Sequence, residues 1–190
     1  MKAFASALAV VVLLAACSRG TEGDRVDTAA KSPAPTAIPA PSLDDPTIVA
    51  IFDAANTADM ETGQLAAERG SSKAVRDFGA MLARDHGAVR QQGRDLAARL
   101  GVTPTPPADD ASAKAHADAM TALRAKNGAD FDRAFLDHEV AYHQAVIDAV
   151  TKTLLPAIQN AEVKALVVKV APAFEAHRAA AANMRQKLGT

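Results

Sequence analysis

Five titratable side chains fall where a helical chain would ordinarily place leucine. His86 lies in the segment Met81-Leu82-Ala83-Arg84-Asp85-His86-Gly87-Ala88-Val89, on the apolar line of Val75, Phe78, Leu82, Val89, Leu96 and Leu100. At about 100° per residue, taking polar side chains within about 50° of each apolar stripe's centre selects a matching residue on every long helix. Asp59 falls on the line of Ile48, Ile51, Phe52, Ala55, Thr62 and Ala66, whereas Glu61 falls off it. Glu139 and His143, one turn apart, share the line of Phe131, Phe135, Leu136, Tyr142, Val146 and Val150. His177 joins Val163, Leu166, Val167, Val170, Phe174, Ala181 and Met184, and Glu175 does not. Asp85 sits at the edge of its stripe. His138, beside Asp137, and His116, among Lys114 and Asp118, read as surface residues.

Each buried polar group left unsatisfied costs roughly 1–3 kcal/mol, against a total stability of about 5–15 kcal/mol. The five must therefore pair with one another, be wetted, or bind something. Three imidazoles and two carboxylates suit Fe, Cu, Zn or Mn. A metal-free Asp/Glu–His network that fixes helix register in a structural or protein-interaction bundle of the envelope meets the same requirement, so both readings stand at this level. A di-iron carboxylate centre is disfavoured, because its Glu-x-x-His spacing is absent and Glu139 and His143 lie one residue further apart. No phosphate loop, haem-attachment signature or Ser-His-Asp set occurs, and no reaction is indicated. The residues carry no sign of an enzyme.

The positioning elements follow from periodicity and breakers. One helix starts near Asp44, with Asp45 and Pro46 as its opening signal, and ends at Gly70. A second runs from Ser71 or Ser72 to Gly101. After "VTPTPP" (102–107) comes a short Ala-rich helix from about Asp109 to Lys126, stopped by Asn127-Gly128. A third long helix spans Asp130 to Leu155 and is ended by Pro156. A fourth spans Asn160 to Leu188, with Pro172 expected to kink it. The tight first connection makes helices one and two antiparallel, and the long second connection favours a crossover. The expected fold is all-α: a ferritin-like four-helix bundle, residues 44–190, with a long crossover that carries the short helix. Gly63, Gly79 and Gly93 near the inward stripes imply close helix approach.

The N-terminal region reads as an address. Met1-Lys2 precedes an apolar run from Ala3 to Ala16, too short to span a bilayer. Leu14-Ala15-Ala16-Cys17 looks like a lipobox: residues 1–16 form the expected signal peptide, and Cys17 is the expected lipidation site and membrane anchor. Ser18 resembles the outer-membrane default, which gives an envelope location facing the periplasm. Residues 17–43, with Pro33, Pro35, Pro39 and Pro41, form a tether. With Cys17, the only cysteine, consumed, no disulfide is available. The 21 Lys and Arg balance 22 Asp and Glu without a basic stripe, which excludes nucleic acid as a partner.

The ordered motifs "QLAAERGSSKAVRDFGAMLARDH", "FDRAF" with its following His, and "APAFEAH" resemble the bacterial envelope family catalogued as domain of unknown function 4142. The resemblance implies a ferritin-like helical bundle, an envelope location and no established activity. It maps a helix-one carboxylate onto Asp59, the Asp-His pair onto Asp85 and His86, and the later histidines onto His143 and His177. Glu139 departs from the pattern, where an apolar residue is more usual.

Overall fold

The computed structural model describes residues 43–108 and 110–189. The signal, Cys17 and the tether up to residue 42, and Asp109 at the expected start of the short helix, lie outside the described residues. Among the described residues the fold is helical, without strands: α1 (Asp45–Arg69), α2 (Lys73–Leu100), α3 (Ser112–Arg124), α4 (Gly128–Ala149), a π-helical turn (Val150–Leu154), the single turn α5 (Leu155–Ala157) and α6 (Ala161–Leu188). None of these helices is long and apolar enough to cross a membrane.

The helix ends are set by local chemistry. Asp44 Oδ1 accepts from the Thr47 amide at 2.9 Å, Ser72 Oγ from the Val75 amide at 3.2 Å, and Asn160 Oδ1 from the Glu162 amide at 2.8 Å. Each satisfies amides that a helix start leaves free. α2 closes on Gly101, whose φ of 66° is left-handed. Two further carboxylates bind helix starts from neighbouring helices. Asp132 of α4 accepts from the Ser71 and Ser72 amides at 2.7 and 2.8 Å. Asp45 of α1 accepts from the Gln159 and Asn160 amides at 2.9 and 2.7 Å. The first tie places the starts of α2 and α4 together; the second places the start of α6 beside that of α1.

These ties define the directions. One apolar cluster joins Ile48 and Phe52 to Leu96, Val150, Leu154 and Val163. The other joins Leu65 to Val75, Phe78, Phe131, Phe135 and Ala181. α1 and α6 run from the first cluster to the second, and α2 and α4 run the opposite way. The connection after α2 therefore travels the full length of the molecule. Thr105 donates to the Pro46 carbonyl near its beginning (3.1 Å). At its end Met120 and Leu123 of α3 join the second cluster, and the Arg69 guanidinium donates to the Arg124 and Lys126 carbonyls at 2.9 and 3.1 Å.

Two prolines behave in different ways. Pro156 was expected to end the third long helix, but the helix continues one residue past it, to Ala157. The preceding π turn, in which the Leu155 amide donates to the Val150 carbonyl, widens the ladder where the pyrrolidine ring needs room. α6 runs unbroken through Pro172. The ring is exposed, and Val168, whose carbonyl loses its amide partner there, is also exposed, so water can take that acceptor.

The expectation of close approach at glycine is met most closely between α1 and α2. A Cβ on Gly63 would stand 2.7 Å from the Gly79 carbonyl oxygen, and one on Gly79 would stand 2.6 Å from that of Gly63. The two backbones touch. Gly87, on the same helix as Gly79, has only the Met60 sulfur in reach, at 3.6 Å. The same substitution should therefore act in opposite directions. Gly79→Ala should lower the melting temperature through overpacking of about 1–3 kcal/mol, whereas Gly87→Ala should leave it unchanged or raise it by up to about 1 kcal/mol of helix propensity. Thermal denaturation followed by circular dichroism reads both.

Candidate metal centre

Between the two apolar clusters lies a polar layer. Asp59, His86, Glu139 and His143 are each no more than 2% exposed, and His177 is 6% exposed. Each stands on the inward stripe of its helix, between residues of one cluster and residues of the other. The structure thus brings together all five residues selected by helical spacing, from α1, α2, α4 and α6.

The proton positions follow from the outward partners. The side-chain amide of Asn56 donates to the Phe52 carbonyl at 2.8 Å, so its oxygen is the atom 3.0 Å from His86 Nδ1. His86 Nδ1 is therefore a donor and Nε2 carries a lone pair. His143 Nδ1 donates to the main-chain carbonyl of Glu139 at 3.0 Å, which leaves its Nε2 bare. His177 turns Nε2 toward Asp85 Oδ2 at 3.4 Å and is hydrogen-bonded through Nδ1 to His86 Nε2. Outer acceptors select the tautomer of a ligating histidine in this way.

The bare atoms converge. Asp59 Oδ2 is 3.1 Å from His86 Nε2 and 3.2 Å from His143 Nε2. His86 Nε2 is 3.1 Å from His177 Nδ1. Neither oxygen of Asp59, neither carboxylate oxygen of Glu139, nor His143 Nε2 has a hydrogen bond. Donors around an ion bound at about 2.0–2.1 Å in a tetrahedral shell stand about 3.3 Å apart, close to these separations. Two overlapping sets, His86 with His143 and His177, and Asp59 with Glu139 and His143, have the spacing to hold a metal ion.

Burial governs the charges. It is the largest influence on His86, followed by the neighbouring His143 and His177, and brings that imidazole from the usual 6.5 down to about 3. His177 is lowered too, first by burial. Burial raises Glu139 from 4.5 to about 8, and burial followed by the charge of Glu139 holds Asp59 well above the usual range. Tyr142, also raised by burial and then by the two carboxylates, stays protonated and donates to the Ala55 carbonyl at 2.9 Å.

Two histidines assigned to the surface are not there. His116 is largely buried, with Nε2 2.8 Å from Glu61 Oε2, because α3 lies across α1 and turns that ring inward. His138 is half-buried and stacks on Tyr142 at 5.6 Å between ring centres. Burial, then the nearby His116 and His143, lowers it to about 4. Both errors come from judging one helix by its own stripe when a crossover covers its side. Asn56 was missed because an amide does not titrate, although it lies three residues before Asp59 and hence on the same face.

A family model described as Domain of unknown function (DUF4142) matches residues 30–184. No curated protein and no solved structure matches the chain.

The buried carboxyls give chelator-treated protein a defined pH response. Between 4.5 and about 8 the folded state keeps the Glu139 proton that the unfolded chain releases, so stability falls as pH rises through that window. His86 acts oppositely, destabilising the fold as pH drops below its unfolded value of 6.5. Toward pH 8, where the histidines are neutral in both states, the buried carboxyls set the slope. Glu139→Gln should flatten the fall in melting temperature there and exceed the unaltered protein at the upper end.

Proposed function

This chain belongs to the DUF4142 family, and we propose that it is a lipid-anchored envelope protein with a ferritin-like four-helix domain that holds one divalent transition-metal ion. The observation that supports this is the outward commitment of the imidazole protons. Asn56 and the Glu139 carbonyl take those of His86 and His143, so the Nε2 lone pairs of both face Asp59 Oδ2 at 3.1 and 3.2 Å. Acceptors about 3 Å apart in an apolar interior repel one another unless a cation or a carboxyl proton stands among them. A divalent ion also offsets the two buried carboxylates, with Glu139 either completing the shell or balancing its charge.

The donor set of three imidazoles and one or two carboxylates suits Fe, Cu, Zn or Mn and not the all-oxygen preference of Ca or Mg. The role that accords with a closed, buried site is sequestration of such an ion and protection of the envelope from metal stress. In this proposal the lipobox ending at Cys17 anchors the domain to the outer membrane, facing the periplasm. The proline-containing tether would hold it away from the lipid surface.

Elemental mass spectrometry of the purified domain is the direct test. About one equivalent of Cu2+ or Zn2+ should remain after desalting, with Cu2+ held more tightly in accord with the Irving–Williams order. Chelation should lower the melting temperature. The double substitution His86→Leu/His143→Leu should abolish loading. If it instead leaves metal content unchanged, or if the unaltered domain never retains metal, the proposal fails. Cys17→Ala should separately shift the full-length protein from the membrane fraction to the soluble fraction.

A further inference from the structure

We propose that ions reach and leave the centre through the seam between α2 and α6, with Asp85 as a transit ligand that Arg84 occupies between ions. This rests on the metal reading above and adds a route to it. Two of the other walls and one end are closed by direct contacts. α1 and α2 touch backbone to backbone at Gly63 and Gly79, and the Tyr142 hydroxyl ties α4 to the Ala55 carbonyl of α1. Phe174 covers the layer on the side of the first apolar cluster, its ring centre 5.5 Å from that of His86 and 6.2 Å from that of His143.

Across the α2–α6 seam, polar atoms instead lead outward in steps. His143 is fully buried and His177 slightly exposed, while the Asp85 side chain is 35% exposed. Its Oδ2 faces His177 Nε2 at 3.4 Å, and its Oδ1 accepts a guanidinium nitrogen of Arg84 at 2.8 Å. The Arg84 side chain is 71% exposed. Further along, toward the first apolar cluster, the surface between α2 and α6 carries a groove of about 350 Å³ beside Gln92, Asp95, Arg99 and Glu162.

A half-exposed carboxylate next to the outermost imidazole is a first foothold for a divalent cation. A cation must displace the guanidinium to use it, and each step inward exchanges one oxygen or nitrogen donor for the next. Asp85 therefore has two partners in turn, Arg84 at rest and the ion in passage. The Arg84 charge at the mouth opposes entry, and opposing charge at a cleft acts on association rate.

Tyr142 supplies the signal for a test. It is the only tyrosine in a chain without tryptophan, and its ring centre lies 6.2 Å from that of His143, so Cu2+ at the centre should quench its emission. Chelator-treated protein is mixed with Cu2+ in a stopped-flow instrument at low ionic strength, and the second-order loading rate is measured. Arg84→Glu should raise that rate about tenfold, an advantage that shrinks as salt is added. Lys152→Glu is the control, since Lys152 is equally exposed at 71% and is also paired with an aspartate, Asp148 at 3.1 Å; it should change the rate by less than a factor of two. Equal acceleration by both variants, or none by Arg84→Glu, overturns the port while leaving the centre in place. Failure of the unaltered chain to bind Cu2+ overturns the metal reading itself.

Discussion

Two imidazole lone pairs aimed at one buried carboxyl are the constraint around which the helical packing is arranged. His86 and His143 could have been satisfied by turning their protons toward Asp59. Instead, Asn56 and the Glu139 carbonyl take those protons on the far side of each ring. This arrangement is costly for an empty site, because buried acceptors without donors lose their hydration and gain nothing in return. It is favourable only where a cation, or a proton held in common, stands among them. The raised carboxyls and lowered imidazoles express the same cost as proton affinity: each group is driven toward its neutral form by loss of water.

Such a layer demands precise helix heights. A helix sliding by one turn moves its side chains about 5.4 Å, enough to set Asp59 or His86 against phenylalanine in one of the flanking clusters. The devices that prevent sliding are distributed along the molecule. At one end Asp132 holds the start of α2 to α4, and at the other Asp45 holds the start of α6 to α1. Between them, the contact of Gly63 with Gly79 leaves α1 and α2 one closely fitted register. The polar layer and the end ties therefore specify the same alignment, a consistency across levels that favours a single packed state.

Much of this was legible from residue types alone. The caps at Asp44, Ser72, Gly101 and Asn160 were readable because capping is local: a side chain serves an amide two or three positions away. The inward positions of Asp59, His86, Glu139, His143 and His177 were readable because 3.6-residue periodicity survives wherever a helix has one buried face. What failed was non-local. His116 and His138 looked peripheral until α3, placed by the crossover, covered that side of α1 and α4. The π turn before Pro156 was invisible because it depends on how the helix absorbs a ring, and the sequence displays only the ring. Asp45 and Asp132 have the same acidic chemistry as any solvated residue, and their role appears only when a distant helix start arrives beside them.

The spacing of Glu139 and His143 shows how one residue changes a site's chemistry. Four positions apart on a helix, the imidazole of the later residue reaches the main-chain carbonyl of the earlier one, and His143 Nδ1 donates there at 3.0 Å. The backbone therefore fixes the tautomer, and the Glu139 carboxylate is not spent on doing so. That carboxylate remains 3.4 Å from the same nitrogen, fully buried and without a hydrogen bond, facing Asp59. With the shorter spacing of three, ligands of the Glu-x-x-His kind place carboxylate and imidazole side by side toward a shared pair of ions. The longer spacing gives an imidazole-dominated pocket with one carboxylate inside it and a second beside it, whose combined negative charge matches a single divalent cation.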